Sequence, residues 1–158
     1  MGVEIERKFL VVSEAWRTGA AGVAVRQGYL LAAPGTTVRV RLAGAEGYLT
    51  IKGQHHGLRR AEFEYAIPAA DAQAMLETLC AQPVIEKTRY RVDFAGLVWE
   101  VDVFAGANAG LVVAEVELES EAQAVTLPPW VGLEVSSDYR YTNAYLAQHP
   151  YTTWSGHV

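Results

Sequence analysis

Charged and apolar residues alternate along much of this chain. Among the first dozen residues, Glu4, Glu6 and Lys8 fall at every second position, so they share one face if the segment is a β-strand. The apolar residues of the same segment can all reach the opposite face only if the period slips near Arg7. Residues 1–12 are therefore predicted to form a strand whose charged face is the more regular of the two.

The same period of two predicts seven more strands. It is strictest within residues 36–43, where Arg39 and Arg41 lie on one face and the aliphatic residues between them lie on the other. Short turns between the first five strands predict an antiparallel meander. The seven further segments are residues 23–31, 36–43, 48–53, 60–65, 84–94, 99–104 and 111–120.

Two segments have helical patterns instead. Residues 139–147 are predicted to form a short helix that follows the capping side chains of Ser136, Ser137 and Asp138. Before it, Pro128 and Pro129 predict an extended crossing. Residues 69–81 have the apolar spacing of an amphipathic helix that should cover an apolar sheet face, with Ala72, Met75, Leu76, Leu79 and Cys80 at the apolar positions.

Composition limits the class of protein. With 158 residues, 51% of them hydrophobic and 20% charged, residues 1–158 are expected to form a single domain. A net charge of −5 argues against non-specific nucleic-acid binding, which an overall basic surface usually drives. The opening residues do not resemble a signal peptide, and no apolar run nears the ~20 residues that span a bilayer. A cytoplasmic protein without membrane contact is therefore expected.

Cysteine and histidine do not form an obvious metal site. Cys80 is the only cysteine and falls in the first predicted helix, so it is expected to be a core residue. The histidines lack the spacing typical of zinc ligands and are expected on the surface: His55, His56, His149 and His157.

Either face of these strands could be the buried one. A plain sandwich would bury the aliphatic face, and its outer face would then carry mostly Thr, Ser, Gln and Lys with few arginines. Nine of the 13 basic residues instead fall at in-register positions: Lys8, Arg26, Arg39, Arg41, Lys52, Arg60, Lys87, Arg89 and Arg91. The acidic residues are grouped in the same way: Glu4, Glu6, Glu62, Glu64, Glu100, Asp102, Glu115, Glu117 and Glu119.

This pattern favours a closed barrel with charged side chains inside. About eight antiparallel strands can close around one ligand. An unpaired buried ion costs on the order of several kcal/mol, so such an interior must hold water, metal ions and a charged ligand. Clustered arginine and lysine match phosphate oxygens, and carboxylate clusters without Cys or His match Mg²⁺ or Mn²⁺. A polyphosphate bound together with its metal is the ligand class that fits both clusters.

The motifs resemble those of one known family. Residues 4–8, EIERK, resemble the ExExK motif of the CYTH superfamily, the triphosphate tunnel metalloenzymes. Seven further segments match in the same order along nearly the whole chain: RQGY at 26–29, VRVR at 38–41, TIK at 50–52, EKTRY at 86–90, EVD at 100–102, EVE at 115–117 and YRYTN at 139–143.

The resemblance implies a mainly β fold, an eight-stranded closed antiparallel barrel with a few flanking helices, that hydrolyses or cyclises triphosphate with a divalent metal. By motif position, the metal ligands would be Glu4, Glu6, Glu115 and Glu117, and the catalytic residues Glu4, Glu6 and Lys8. The substrate-binding residues would be Lys8, Arg26, Arg39, Arg41, Lys52, Arg60, Lys87, Arg89, Arg91 and Arg140. Roles in metal binding or in holding the cations stay open for Glu62, Glu64, Glu100 and Asp102, and the role of Glu119 is open as well.

Within that superfamily the chain is most similar to short bacterial members that act on inorganic triphosphate. This implies hydrolysis of tripolyphosphate to pyrophosphate and phosphate. The RQGY segment departs from the Asp-x-Tyr-Phe pattern of class IV adenylyl cyclases, which are one alternative. A non-enzymatic polyphosphate-binding module is another, although it would not need the carboxylates. The expected partner is inorganic triphosphate or a small molecule that carries a triphosphate, and a homodimer is left open. A thiamine triphosphatase also stays open because of Trp16, Trp99, Trp130 and Trp154.

Overall fold

A computed structural model describes residues 2–19 and 21–154. Within them the strands are β1 (Gly2–Val11), β2 (Val23–Ala33), β3 (Thr36–Ala43), β4 (Glu46–Gly53), β5 (Arg59–Ile67), β6 (Ile85–Phe94), β7 (Leu97–Phe104), β8 (Val112–Glu117) and β9 (Val131–Glu134). The helices are α1 (Ala69–Thr78) and α2 (Asn143–Gln148), with 3₁₀ turns at Gly106–Asn108, Tyr139–Tyr141 and Tyr151–Thr153.

The first eight strands close into an antiparallel barrel. Their spatial order is β5-β4-β3-β2-β6-β7-β8-β1, and β1 returns to pair with β5. The predicted eight-stranded closed barrel and mainly β fold are thereby confirmed. The meander consists of β2 to β5 only, so the expectation that the first strand belongs to it is wrong. Instead, β1 closes the barrel, because residues 2–5 pair with β5 while residues 6–10 pair with β8.

Strand β9 is an addition to the barrel that the sequence pattern did not predict. It pairs with the end of β1, where Phe9 lies opposite Glu134 and Val11 opposite Val131. The two prolines before it lead Trp130 onto the outer wall, where the Trp130 ring centroid lies 5.8 Å from that of Trp99. Both tryptophans are buried in an outer aromatic and aliphatic cluster.

The charged faces of the strands point into the barrel. Lys8 lies opposite Glu115 on neighbouring strands, and Arg39 and Glu64 both flank Thr50 of β4. The four charged side chains line an interior cavity, whereas the aliphatic faces form outer clusters under helices and loops. The prediction of a charged interior is confirmed, and the sandwich alternative is wrong for this chain.

Helix α1 covers the outer face of β3 and β4. Ala72, Leu76 and Cys80 pack with Val40 in a buried cluster, as the helical spacing predicts. The contact is close at Gly47, where an added Cβ would lie 2.9 Å from the Cβ of Ala72. The helix ends at Thr78, three residues earlier than predicted, since the backbone N–H groups of residues 79 and 80 both bond the carbonyl oxygen of residue 75.

Helix α2 packs against one end of the barrel. Its residues Ala144 and Leu146 contact a cluster that includes Ile85, Phe104 and Val113, which lie on the same strand faces as the interior charges. The interior is therefore apolar at this end.

The predicted helix over 139–147 is divided in two by Thr142. This residue has an extended backbone, and its side-chain oxygen accepts a hydrogen bond from the backbone N–H of Tyr145, which caps α2.

Within the described residues, neither α-helix is long and apolar enough to cross a membrane.

Helix α1 provides a matched stability test. Leu76 is 0% exposed and Leu79 is 66% exposed. Leu76→Ala should lower the free energy of unfolding by about 2–5 kcal/mol because it leaves a cavity, whereas Leu79→Ala should change it by less than about 0.5 kcal/mol. Urea-induced unfolding measures both. Equal losses for the two variants would contradict the packing of α1 against the barrel.

Candidate active site

Charged side chains of seven strands converge on one cavity of about 680 Å³ inside the barrel. All four predicted metal ligands and all three predicted catalytic residues line it, as do seven of the ten predicted substrate-binding residues. The charged residues of the barrel strands in this lining are Glu4, Glu6, Lys8, Arg39, Arg41, Lys52, Arg60, Glu62, Glu64, Arg89, Arg91, Glu100, Glu115 and Glu117.

Glu6 and Glu115 form a hydrogen-bonded carboxyl pair between β1 and β8. Burial, together with the charges of Glu115 and Glu4, raises the pKa of Glu6 well above its usual range. Burial acts against ionisation of Glu115 too, but Lys8, Arg89 and the hydrogen bond from Glu6 hold the pKa of Glu115 well below its usual range. The opposite pKa shifts make Glu6 the member of the pair that protonates more easily.

The other two predicted metal ligands are Glu4 and Glu117. The two Oε atoms of Glu4 each lie 3.0 Å from Nζ of Lys52, and Nε of Arg60 lies 3.2 Å from Oε1. Burial opposes ionisation of Glu4, but these two cations lower its pKa. The pKa of Glu117 is raised, by burial first and then by carboxylates that include Glu4 and Glu62.

Chemically, these four side chains fit a divalent cation. They supply only oxygen donors. Burial first, and then neighbouring carboxylates, raise the pKa of Glu6 and of Glu117, and a cation would oppose both effects. In the arrangement seen, no three side chains of Asp, Glu, His or Cys among residues 2–19 and 21–154 are grouped closely enough to hold a metal. To bind the ion, Glu4 would have to give up its ion pairs with Lys52 and Arg60.

Four carboxylates whose roles were open are seen holding cations. Asp102 binds Arg89 through two hydrogen bonds, from Nε at 2.7 Å and from Nη2 at 2.8 Å. The other three make longer ion pairs: Glu62 with Lys52 at 3.5 Å, Glu64 with Arg39 at 3.5 Å, and Glu100 with Arg89 at 3.4 Å. Glu119 is exposed beyond the end of β8 and does not line the cavity.

Two cavity cations are held by neutral groups instead. Lys8 donates from Nζ to the backbone oxygen of Tyr141 at 3.0 Å, and Arg41 donates from Nε to Oε1 of Gln27 at 2.9 Å. Among the described residues, no carboxylate lies within 4.0 Å of either cation. Burial and the nearby charge of Arg39 lower the pKa of Arg41 to about 10, so it remains charged at neutral pH.

Lys87 faces the interior but does not line the cavity. Its Nζ lies 2.7 Å from Oδ2 of Asp102 and 3.2 Å from Oδ1 of Asn143, and the side chain is 0% exposed. Burial lowers the pKa of Lys87 to about 7, against the opposing effect of Asp102.

Arg26 and Arg140 do not line the cavity either, contrary to expectation. Arg26 lies opposite Leu42 on the outer face, and its Nη1 donates to Oε1 of Gln73 in α1 at 3.1 Å. Arg140 is exposed and pairs with Asp138, with Nη2 2.7 Å from Oδ2. The alternation of β2 puts the residues next to Arg26 inside, and Arg140 belongs to a turn in which no strand period applies.

Sequence reasoning missed Tyr29 and His55, which line the cavity, and Gln27, which is buried in the interior but does not line it. Tyr29 lies opposite Arg39 and Gln27 lies opposite Arg41, so the register of β2 against β3 could have identified both. His55 was expected on the surface; it is exposed, yet it also lines the cavity. Partial burial and the charge of Arg60 lower the pKa of His55 to about 4. His157 lies outside the described residues.

Comparisons with known proteins agree over most of the chain. The inorganic triphosphatase of Acetivibrio thermocellus is 49% identical over 151 residues, which are 96% of this chain and 97% of that protein. The inorganic triphosphatase of Nitrosomonas europaea is 42% identical over 149 residues, which are 91% and 96% of the two chains. The crystal structure of the inorganic triphosphatase NE1496 matches with a TM-score of 0.67 and 39% identity, and covers 93% of this chain and 95% of that one.

The CYTH domain matches residues 2–151. Since this match includes every strand of the barrel and all of the predicted site residues, the protein belongs to the CYTH domain family.

Proposed function

We propose that this protein is an inorganic triphosphatase that hydrolyses tripolyphosphate to pyrophosphate and phosphate. The observation that carries the proposal is the grouping of charge inside one cavity, where carboxylates concentrated on β1 and β8 meet arginines and lysines from β3 to β6. Relatives with 49% and 42% identity are inorganic triphosphatases, which supports the same activity here.

The cations of the cavity are proposed to bind the phosphate chain. A volume of about 680 Å³ suits a small ligand, since such sites are roughly 300–1,000 Å³. Lys8 and Arg41 would contact phosphate most readily, because no carboxylate among the described residues lies within 4.0 Å of either group. The remaining cations must release a carboxylate in exchange for phosphate: Arg39, Lys52, Arg60, Arg89 and Arg91.

Membership of this metalloenzyme family implies a divalent metal ion. We propose Mg²⁺ or Mn²⁺, held by Glu4, Glu6, Glu115 and Glu117, because these ions prefer oxygen ligands. A divalent ion held there would supply Lewis-acid chemistry, by withdrawing charge from phosphate oxygens and lowering the pKa of a water for in-line attack on phosphorus. Both Glu6 and Glu115 would have to be charged to hold the ion, and a cation beside them would oppose the raised pKa of Glu6.

Lys8 is proposed as a catalytic residue because it lies between the carboxylates of β1 and β8 and the cations that would bind the phosphate chain. It lies opposite Glu115 in the pairing of β1 with β8, and the backbone oxygen of Tyr141 fixes its ammonium group. The ammonium group is thus held beside the carboxylates while its charge stays available for a phosphate oxygen.

Two alternative activities lose support from the site. The tryptophans that left a thiamine site open are absent from the described cavity lining: Trp16, Trp99 and Trp130 are buried in the outer cluster, and Trp154 packs beside Tyr141 and Tyr151. A binding module without catalysis would not require the carboxylates of β1 and β8.

Four further expectations remain predictions. They are a cytoplasmic location, the lack of nucleic-acid and membrane partners, a single domain over 1–158 and a homodimer.

Substrate preference is the first test of this proposal. Phosphate release from tripolyphosphate should exceed turnover of ATP or thiamine triphosphate by more than about tenfold, or roughly 1.4 kcal/mol in transition-state free energy. Parallel assays of the three substrates with Mg²⁺ and Mn²⁺ measure this ratio. Dominant production of cyclic AMP would instead assign a cyclase, and tight tripolyphosphate binding without any turnover would assign a binding module.

Glu117 and Glu119 form a matched pair that tests the metal site. Both fall on the same alternation in the sequence, but Glu117 ends β8 and lines the cavity, whereas Glu119 lies beyond the strand and does not. Glu117→Gln keeps the shape and removes a charged oxygen ligand, so kcat should fall by at least about 100-fold while tripolyphosphate binding partly survives on the cations. Glu119→Gln should leave kcat within about twofold.

The measurement is steady-state kinetics across a Mg²⁺ titration, with circular dichroism to verify folding. Near-normal turnover of Glu117→Gln at every Mg²⁺ concentration would mean that this carboxylate does not bind the catalytic metal.

A further inference from the structure

Gln27 is an interior residue of β2 that the proposed site does not yet use. Its side chain is 0% exposed and lies between Arg41 of β3 and Ile85 of β6 in the strand pairing. Because a guanidinium group only donates hydrogen bonds, the atom that faces Nε of Arg41 must be the oxygen, at 2.9 Å. The amide orientation is therefore fixed by its partner.

The other end of this amide is without a partner. Nε2 of Gln27 is buried and makes no hydrogen bond within the described structure. Buried donors of this kind are rare because they lose their hydrogen bonds to water on folding. A Leu or Met at this position would avoid that cost, so local stability does not account for a glutamine here.

The neighbouring cations differ from Arg41 in how they are held. Arg39, Lys52, Arg60 and Arg89 each pair with at least one carboxylate. A carboxylate fixes a cation but also neutralises it, and a phosphate must then compete for the same charge. A neutral oxygen fixes the guanidinium without placing a carboxylate in contact with it, so a phosphate has no contacting anion to displace.

We infer that Gln27 is a positioning residue that holds Arg41 in place through a neutral hydrogen bond and thereby keeps its whole charge available for a phosphate of the substrate. The inference rests on the proposed triphosphatase function and extends it to a residue that does not line the cavity itself. Its consequence is that adding a negative charge at this position should damage substrate binding even though it strengthens the contact with Arg41.

Two substitutions distinguish the effect of a charge beside Arg41 from the effect of losing the oxygen that accepts its hydrogen bond: Gln27→Glu and Gln27→Met. Gln27→Glu keeps the size and the acceptor but pairs Arg41 with a carboxylate, so KM for tripolyphosphate should rise by about tenfold or more. Gln27→Met keeps the approximate volume and removes the acceptor, so KM should rise by a smaller factor, about three- to tenfold. In both variants kcat should change less than KM, because the lost contact is made in the ground state as well.

Helix α1 offers a matched control. Gln73 accepts a hydrogen bond from Nη1 of Arg26 at 3.1 Å, which is the same chemical pair on the outer face of the barrel. Gln73→Glu should leave KM within about twofold of the unmodified protein. A rise in KM for this variant equal to that for Gln27→Glu would overturn the inference, since any added negative charge would then suffice.

Two readouts exclude a merely structural role. Gln27→Glu should melt no lower than the unmodified protein, since it gains an ion pair, and yet bind substrate less well. On an Arg41→Ala background, neither Gln27 variant should raise KM further, because the group that they act through is gone. A melting temperature that falls in step with activity, or additive effects on the Arg41→Ala background, would contradict the inference.

Steady-state kinetics with tripolyphosphate and Mg²⁺ on these proteins complete the test. If the unmodified protein turns over tripolyphosphate but neither Gln27 variant changes KM, the role of Gln27 is overturned and the proposed function is not. Absence of turnover by the unmodified protein would overturn the proposed function, and the inference with it.

Discussion

The structure depends on one constraint, which is that ions enclosed in a barrel must each have a partner. The strands turn their charged faces inward, and an unpaired buried ion would cost several kcal/mol or about that order. Carboxylates such as Asp102 and Glu4 therefore lie against Arg89 and Lys52. A ligand can replace one partner of such an ion pair. A phosphate can replace the carboxylate beside an arginine or lysine, and a metal ion can replace the ammonium group beside a carboxylate.

Turning the charges inward leaves an aliphatic outer wall that must be covered as well. Helix α1 covers β3 and β4, while β9 and the segment before it bring Trp130 over Trp99. At one end of the barrel, α2 packs against apolar interior residues. The elements added to the barrel thus stabilise it from outside and from one end, and this leaves the charged part of the interior free to bind.

The sequence contained enough to predict the barrel but not every side chain of the site. Strict alternation predicts eight strands with one charged face, and the charge count identifies that face as the inner one. Alternation alone could not tell that Arg26 lies outside and Gln27 inside, because only the pairing of β2 with β3 settles which face is which. Strand β9 has four residues, too few for a periodic signal, and Arg140 lies in a turn.

The central claim is that the charged interior is a binding site for triphosphate with its metal, and thermal unfolding tests it most directly. Ca²⁺ in place of the catalytic metal should retain the substrate unreacted. Tripolyphosphate at about 100 times its dissociation constant then adds roughly 2.7 kcal/mol to stability, which for a chain of this size raises the melting temperature by roughly 5–10 °C. Sulfate at equal ionic strength is the control. A shift no larger than that with sulfate would contradict the claim.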